Sequence, residues 1–103
     1  MGKVYRIDEI RARLHPIFDS APVHRAILFG SYAKGRATEQ SDVDIVIDSK
    51  GELLDYNFYG VLEDVTESLG KRVDMFEISE VQVGSPIHEE ILTQGVILFD
   101  RQG

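Results

Sequence analysis

Gly30-Ser31-Tyr32-Ala33-Lys34-Gly35-Arg36-Ala37-Thr38-Glu39-Gln40-Ser41-Asp42-Val43-Asp44 is the stretch on which the reading of this chain turns. Apolar runs flank it, Ala26-Ile27-Leu28-Phe29 before and Ile45-Val46-Ile47 after. Those flanks predict two short buried strands, over Arg25 to Gly30 and Val43 to Asp48. Between them Gly30 to Ser41 is polar and glycine-bearing, a loop with room for one helical turn.

Side chains alternate across a strand. Asp42 and Asp44 therefore share one face, while Val43, Ile45 and Ile47 take the other. Two neighbouring carboxylates repel each other, and burial makes that costlier. A divalent cation relieves both effects, and hard oxygen ligands suit magnesium or manganese bound together with a phosphate.

Working outward, apolar residues recur at Ile7, Ile10, Leu14, Ile17 and Phe18, which predicts an amphipathic helix. Asp8 is the expected cap, and Pro16 predicts a kink or an early end. Leu53 to Leu69 predicts a longer helix, with Leu54, Phe58, Val61, Leu62, Val65 and Leu69 near helical spacing and Gly70 closing it. A third strand follows at Arg72 to Ile78, then a short helix from Ile87 to Thr93 ended by Gly95, and a last strand from Val96 to Phe99. Alternating strands and helices predict an α/β or α+β arrangement, a small mixed sheet with helices packed on it. A parallel crossover through the long helix would put the second and third strands in one sheet.

That crossover would bring in a third carboxylate. Asp74 is the one charge within Val73-Asp74-Met75-Phe76. Beside Asp42 and Asp44 it would complete a set able to hold two metal ions about 3.5–4 Å apart, as in-line phosphoryl displacement requires. Upstream, Gly30 lets the backbone approach a phosphate closely, Ser31 adds a hydroxyl donor, and Lys34 and Arg36 offer positive charge.

Composition narrows the options. The 103 residues have room for one domain, and 43% apolar with 28% charged content is that of an ordinary globular protein. Without cysteine there is no disulfide, zinc–thiolate site or thiol nucleophile, which suits a reducing cytoplasm. The segment Met1 to Ile10 is charged, unlike a secretion signal, and Arg6 stands where a myristoylation signal wants Ser or Thr. No apolar run is long enough to cross a bilayer. A net charge of −7 argues against direct nucleic-acid binding and leaves small, metal-chelated nucleotides open.

Two near matches fail. Gly30 to Gly35 has the glycine spacing of a P-loop, but Arg36-Ala37 stands where Lys and Ser or Thr are needed. Asp42-x-Asp44 lacks the polar interleaving and the turn glycine of an EF-hand. His15, His24 and His88 show no metal-ligand spacing and read as structural. Tyr56 reads as a partly exposed packing residue, and neither it nor Tyr59 is given a functional role.

Gly30-Ser31, ten intervening residues and Asp42-x-Asp44 resemble the signature of the nucleotidyltransferase superfamily related to DNA polymerase beta. Gly30 to Gly35 with Ser41 to Ile45, Leu69-Gly70-Lys71-Arg72-Val73-Asp74, and Ile87 to Phe99 with Glu90-Ile91-Leu92 and Gly95 resemble the minimal nucleotidyltransferases of bacteria and archaea. The resemblance implies a single nucleotidyltransferase domain over 1–103. It implies that Gly30 and Ser31 bind the triphosphate of ATP, and that Asp42 and Asp44 hold two Mg2+ or Mn2+ ions. Asp74 would ligate the catalytic one and help activate the acceptor hydroxyl. Lys34 replaces the arginine commonest at its position, keeping the charge but losing the bidentate fork.

The resemblance further implies a helical HEPN-domain protein as partner, a toxin that receives AMP on a tyrosine. Transfer to a small molecule such as an aminoglycoside, with the partner completing the pocket, is a second reading. A non-catalytic antitoxin that only covers its partner is a third.

Overall fold

A computed structural model describes residues 3–101. Met1-Gly2, the start of the charged N-terminal segment, and Gln102-Gly103 lie outside the described residues. The chain runs α1 (Ile7–Asp19), β1 (Arg25–Phe29), α2 (Gly30–Ala33), β2 (Val43–Asp48), α3 (Asp55–Leu69), β3 (Val73–Glu77), a 3-10 turn (Ile78–Glu80), α4 (Pro86–Gln94) and β4 (Val96–Asp100). The strands form one mixed sheet in the order β3-β2-β1-β4. β1 pairs antiparallel with both β2 and β4. β2 and β3 are parallel, joined by α3 as the crossover expected from the sequence.

One face of the sheet carries the main core. Ile10, Leu14 and Phe18 of α1 and Val61, Val65 and Leu69 of α3 pack against Leu28, Val43, Ile45, Ile47 and Met75. Full burial of such a side chain contributes roughly 1.5–3 kcal/mol, so this layer dominates the stability. A register shift between Ala26 and Ile27 interrupts the β1–β4 ladder, and consecutive Leu98 and Phe99 both reach this core. The opposite face has a smaller cluster of Phe29, Val46 and Ile91, covered by α4 and the 3-10 turn.

Several local expectations change. Arg6, not Asp8, is the N-cap of α1; Asp8 lies in the first turn, where its charge suits the helix dipole. Pro16 does not end α1, which continues to Asp19. Its missing N–H would have bonded the carbonyl of Ala12, an exposed residue, while fully buried Phe18 holds the last turn in place. α3 starts at Asp55 rather than Leu53, and Leu54, counted in the apolar stripe, is exposed. The third strand ends at Glu77, with Ile78 entering the 3-10 turn. Tyr56 is 88% exposed, so it is not a packing residue.

Candidate active site

β1 ends at Phe29, directly opposite Asp44 of β2, and the chain turns sharply at Gly30 with φ +74°. A side chain at Gly30 would overlap the Asp44 carboxylate, whose Cγ lies 3.0 Å from the position of a Cβ there. Only glycine meets both constraints, and the turn thereby lies against the carboxylate. α2 follows as the single helical turn expected in the loop, buried through Tyr32.

The alternation along β2 is as expected. Val43, Ile45 and Ile47 are buried in the main core, and half-buried Asp44 shares the other face with Val46. Asp74 is the direct register partner of Asp44 across the parallel pair, on the edge strand and exposed. Asp42 sits just before β2, with Arg72 Nε 3.8 Å from its Oδ2. The loop entry is tied down by a hydrogen bond of 3.0 Å from the Val43 N–H to the Arg72 carbonyl.

Burial, then the charges of Asp74, Asp42 and Glu90, push the Asp44 carboxyl up from an ordinary 3.8 to about 6. Among the described residues no lysine or arginine is within ion-pair distance of Asp44 or Asp74. Negative charge is thus concentrated here beyond what the neighbouring side chains neutralise. The donors are hard carboxylate oxygens at a sheet edge, a set that fits magnesium or manganese. Among the described residues no three His, Asp or Glu side chains stand close enough together to hold a metal ion as they are placed.

Lys34 and Arg36 line an open cleft of about 390 Å3 together with Ala33 and Gln94. Lys34 is committed to a partner the sequence reading missed: its Nζ lies 3.2 Å from Glu90 Oε1. Glu90 Oε2 also accepts the Gly30 N–H at 2.9 Å. Helix α4 brings this carboxylate to the turn. Its start is capped by the Ser85 hydroxyl, which accepts the His88 N–H at 3.2 Å. Its end packs so closely that a Cβ on Gly95 would sit 2.7 Å from Ile27 Cγ2. The sequence signal was the Glu90-Ile91-Leu92 segment, but nothing in it says which of Glu89 and Glu90 turns inward.

The histidines have structural partners. His24 Nε2 lies 2.9 Å from Glu52 Oε1, His88 Nδ1 accepts the Gly84 N–H at 3.1 Å, and His15 meets Phe99 edge-on at 5.3 Å.

Residues 13–103 match the family model described as polymerase beta, nucleotidyltransferase. A provisionally named protein adenylyltransferase of Methanocaldococcus jannaschii is 34% identical over 76 residues, covering 73% of this chain and 81% of that protein. Two solved chains share the fold. One belongs to a toxin–antitoxin crystal structure with AMP-PNP (TM-score 0.73, 21% identity, 89% of this chain and 74% of that one). The other belongs to a tri-AMPylated Shewanella oneidensis HEPN toxin in complex with an MNT antitoxin (TM-score 0.68, 18% identity, 93% of this chain and 74% of that one).

Proposed function

The chain belongs to the polymerase beta nucleotidyltransferase family, and from that premise we propose that it transfers AMP from ATP to a tyrosine of a helical HEPN-domain partner. The observation that carries this is the pairing of Asp44 with Asp74 across parallel strands, beside a Gly30 turn seated on the Asp44 carboxylate. It supports one centre where a triphosphate and an acceptor hydroxyl meet.

Gly30 and Ser31 bind the triphosphate, with Lys34 and Arg36 supplying charge from the adjoining cleft. Asp42, Asp44 and Asp74 would hold two divalent ions. Bound there, such ions offset the phosphate charge and lower the pKa of the acceptor hydroxyl. The acceptor oxygen forms a bond to the α-phosphorus, the bond to the β-phosphate oxygen breaks, and pyrophosphate leaves. Asp74, exposed on the edge strand, faces the incoming acceptor and helps draw off its proton. Positioning and charge compensation do most of the work.

The partner assignment draws on the solved relatives, one holding AMP-PNP and one an AMP-modified HEPN toxin. An acceptor-side centre at an open sheet edge suits a docked protein segment better than a small molecule that needs an enclosing pocket. The test is to incubate the chain with ATP, Mg2+ and a helical HEPN-domain protein, then weigh that protein. Added AMP, absent with Asp44→Asn, supports the proposal. Transfer to an aminoglycoside with the protein unmodified replaces it with the small-molecule reading. Tight association with no transfer replaces it with a steric antitoxin.

A further inference from the structure

We infer that Glu90 is an internal competitor for the triphosphate, its carboxylate taking the Gly30 amide and the Lys34 ammonium that the phosphates must win. This rests on the assignment of Gly30 and Lys34 to phosphate binding. The carboxylate divides its oxygens between the two donors, Oε2 on the Gly30 N–H at 2.9 Å and Oε1 near Lys34 Nζ at 3.2 Å. A backbone amide at a tight glycine turn and an adjacent cation make an anion cradle, and here a carboxylate stands where a phosphate would.

The contact brings a further negative charge to a region that already holds Asp42, Asp44 and Asp74. A carboxylate placed only to brace α4 would be better sited away from them. The helix itself is fixed, by the Ser85 cap at one end and by the Gly95 contact with Ile27 at the other. Release therefore needs only rotation of the Glu90 side chain, which is 27% exposed and has a path toward solvent. An entering triphosphate repels Glu90, takes over both donors and loses affinity by the strength of the contacts it breaks. The device favours ligands with enough phosphate charge to displace the carboxylate, a triphosphate over a monophosphate.

Calorimetric titration with ATP and with inorganic tripolyphosphate, both with Mg2+, tests this on wild-type protein, Glu90→Gln, Lys34→Met and the double variant. Gln keeps an acceptor for Gly30 but removes the charge, so Glu90→Gln is expected to bind both ligands about tenfold more tightly. In the Lys34→Met background the same change is expected to give about twofold or less, because the contested cation is gone. A brace would not show that coupling. Unchanged or weaker binding by Glu90→Gln, with wild type still binding, overturns the inference and leaves the site assignment standing. Absence of binding by every variant and by wild type overturns both. Should Glu90→Gln fail to melt cooperatively, Glu90→Asp, which draws the carboxylate back by one methylene, is expected to tighten binding in the same direction.

Discussion

At Gly30 two demands meet: a left-handed backbone with φ +74°, and an Asp44 carboxylate occupying the space of a Cβ. Gly30→Ala is therefore expected to cost about 2 kcal/mol and to abolish transfer, read by thermal melting and by AMP incorporation. Asp44 gives the opposite stability result. Its carboxyl is raised from 3.8 to about 6, so the folded protein binds a proton there that the unfolded chain has released. The resulting stability is fully present below pH 3.8 and is lost as pH rises through about 6. Asp44→Asn removes the charge that causes this loss. The variant should melt higher than wild type above pH 6, by roughly 1 kcal/mol after discounting for partial exposure, with the difference closing near pH 4. It should transfer no AMP at any pH. A variant equally stable or weaker at pH 7.5 would remove the account of Asp44 as a strained, charge-crowded group.

Among the elements, α1 and α4 pack on opposite faces of the sheet. The last turn of α1 has no basic residue of its own. Arg101 supplies the charge from 80 or more residues away, donating to the carbonyls of Phe18, Asp19 and Ala21, and it also reaches Val23. The Phe18 and Ala21 carbonyls also accept the Ala21 and Val23 N–H groups, so the guanidinium adds a second, charged donor at the end of the helix. Arg101→Ala should cost about 2 kcal/mol, and Arg101→Lys should recover only part of it because the planar fork is lost. Matched melting curves of the three proteins check this. Gly95 plays a different part, since a Cβ there would meet Ile27 and the end of α4. Gly95→Ala should cost about 2 kcal/mol by overpacking. Because α4 carries Glu90, the same change should also alter tripolyphosphate affinity, whereas Arg101→Ala should not.

Across the whole molecule the charge of −7 opposes compaction, and Asp42, Asp44, Asp74 and Glu90 gather part of it at one place. Added KCl should raise the melting temperature slightly by screening. Millimolar MgCl2 at matched ionic strength should raise it further, since binding to the folded form alone adds stability by mass action. That extra rise should vanish in Asp44→Asn. An equal response to both salts would assign the effect to screening and remove the ion-binding role of the site. Among the described residues no helix is long and apolar enough to cross a membrane.

The local chemistry was legible because it is written in short spacings. A strand of period two decides by itself that Asp44 lies opposite Val43, Ile45 and Ile47, whereas Asp42, just before β2, falls outside that rule. The glycine after an apolar run marks the turn, and the apolar stripes of α1 and α3 mark their buried sides. The parallel pairing of β2 with β3 was also within reach, because a crossover helix leaves few other arrangements. The extent of α1 was not, since burial of Phe18 and a distant arginine outweigh the local cost of Pro16. Nor was Glu90, which meets Gly30 across 60 residues only because α4 folds back over the second face of the sheet. Contacts within one segment follow from backbone geometry. Contacts between distant segments depend on which faces pack together, and that was decided by the burial of the whole core.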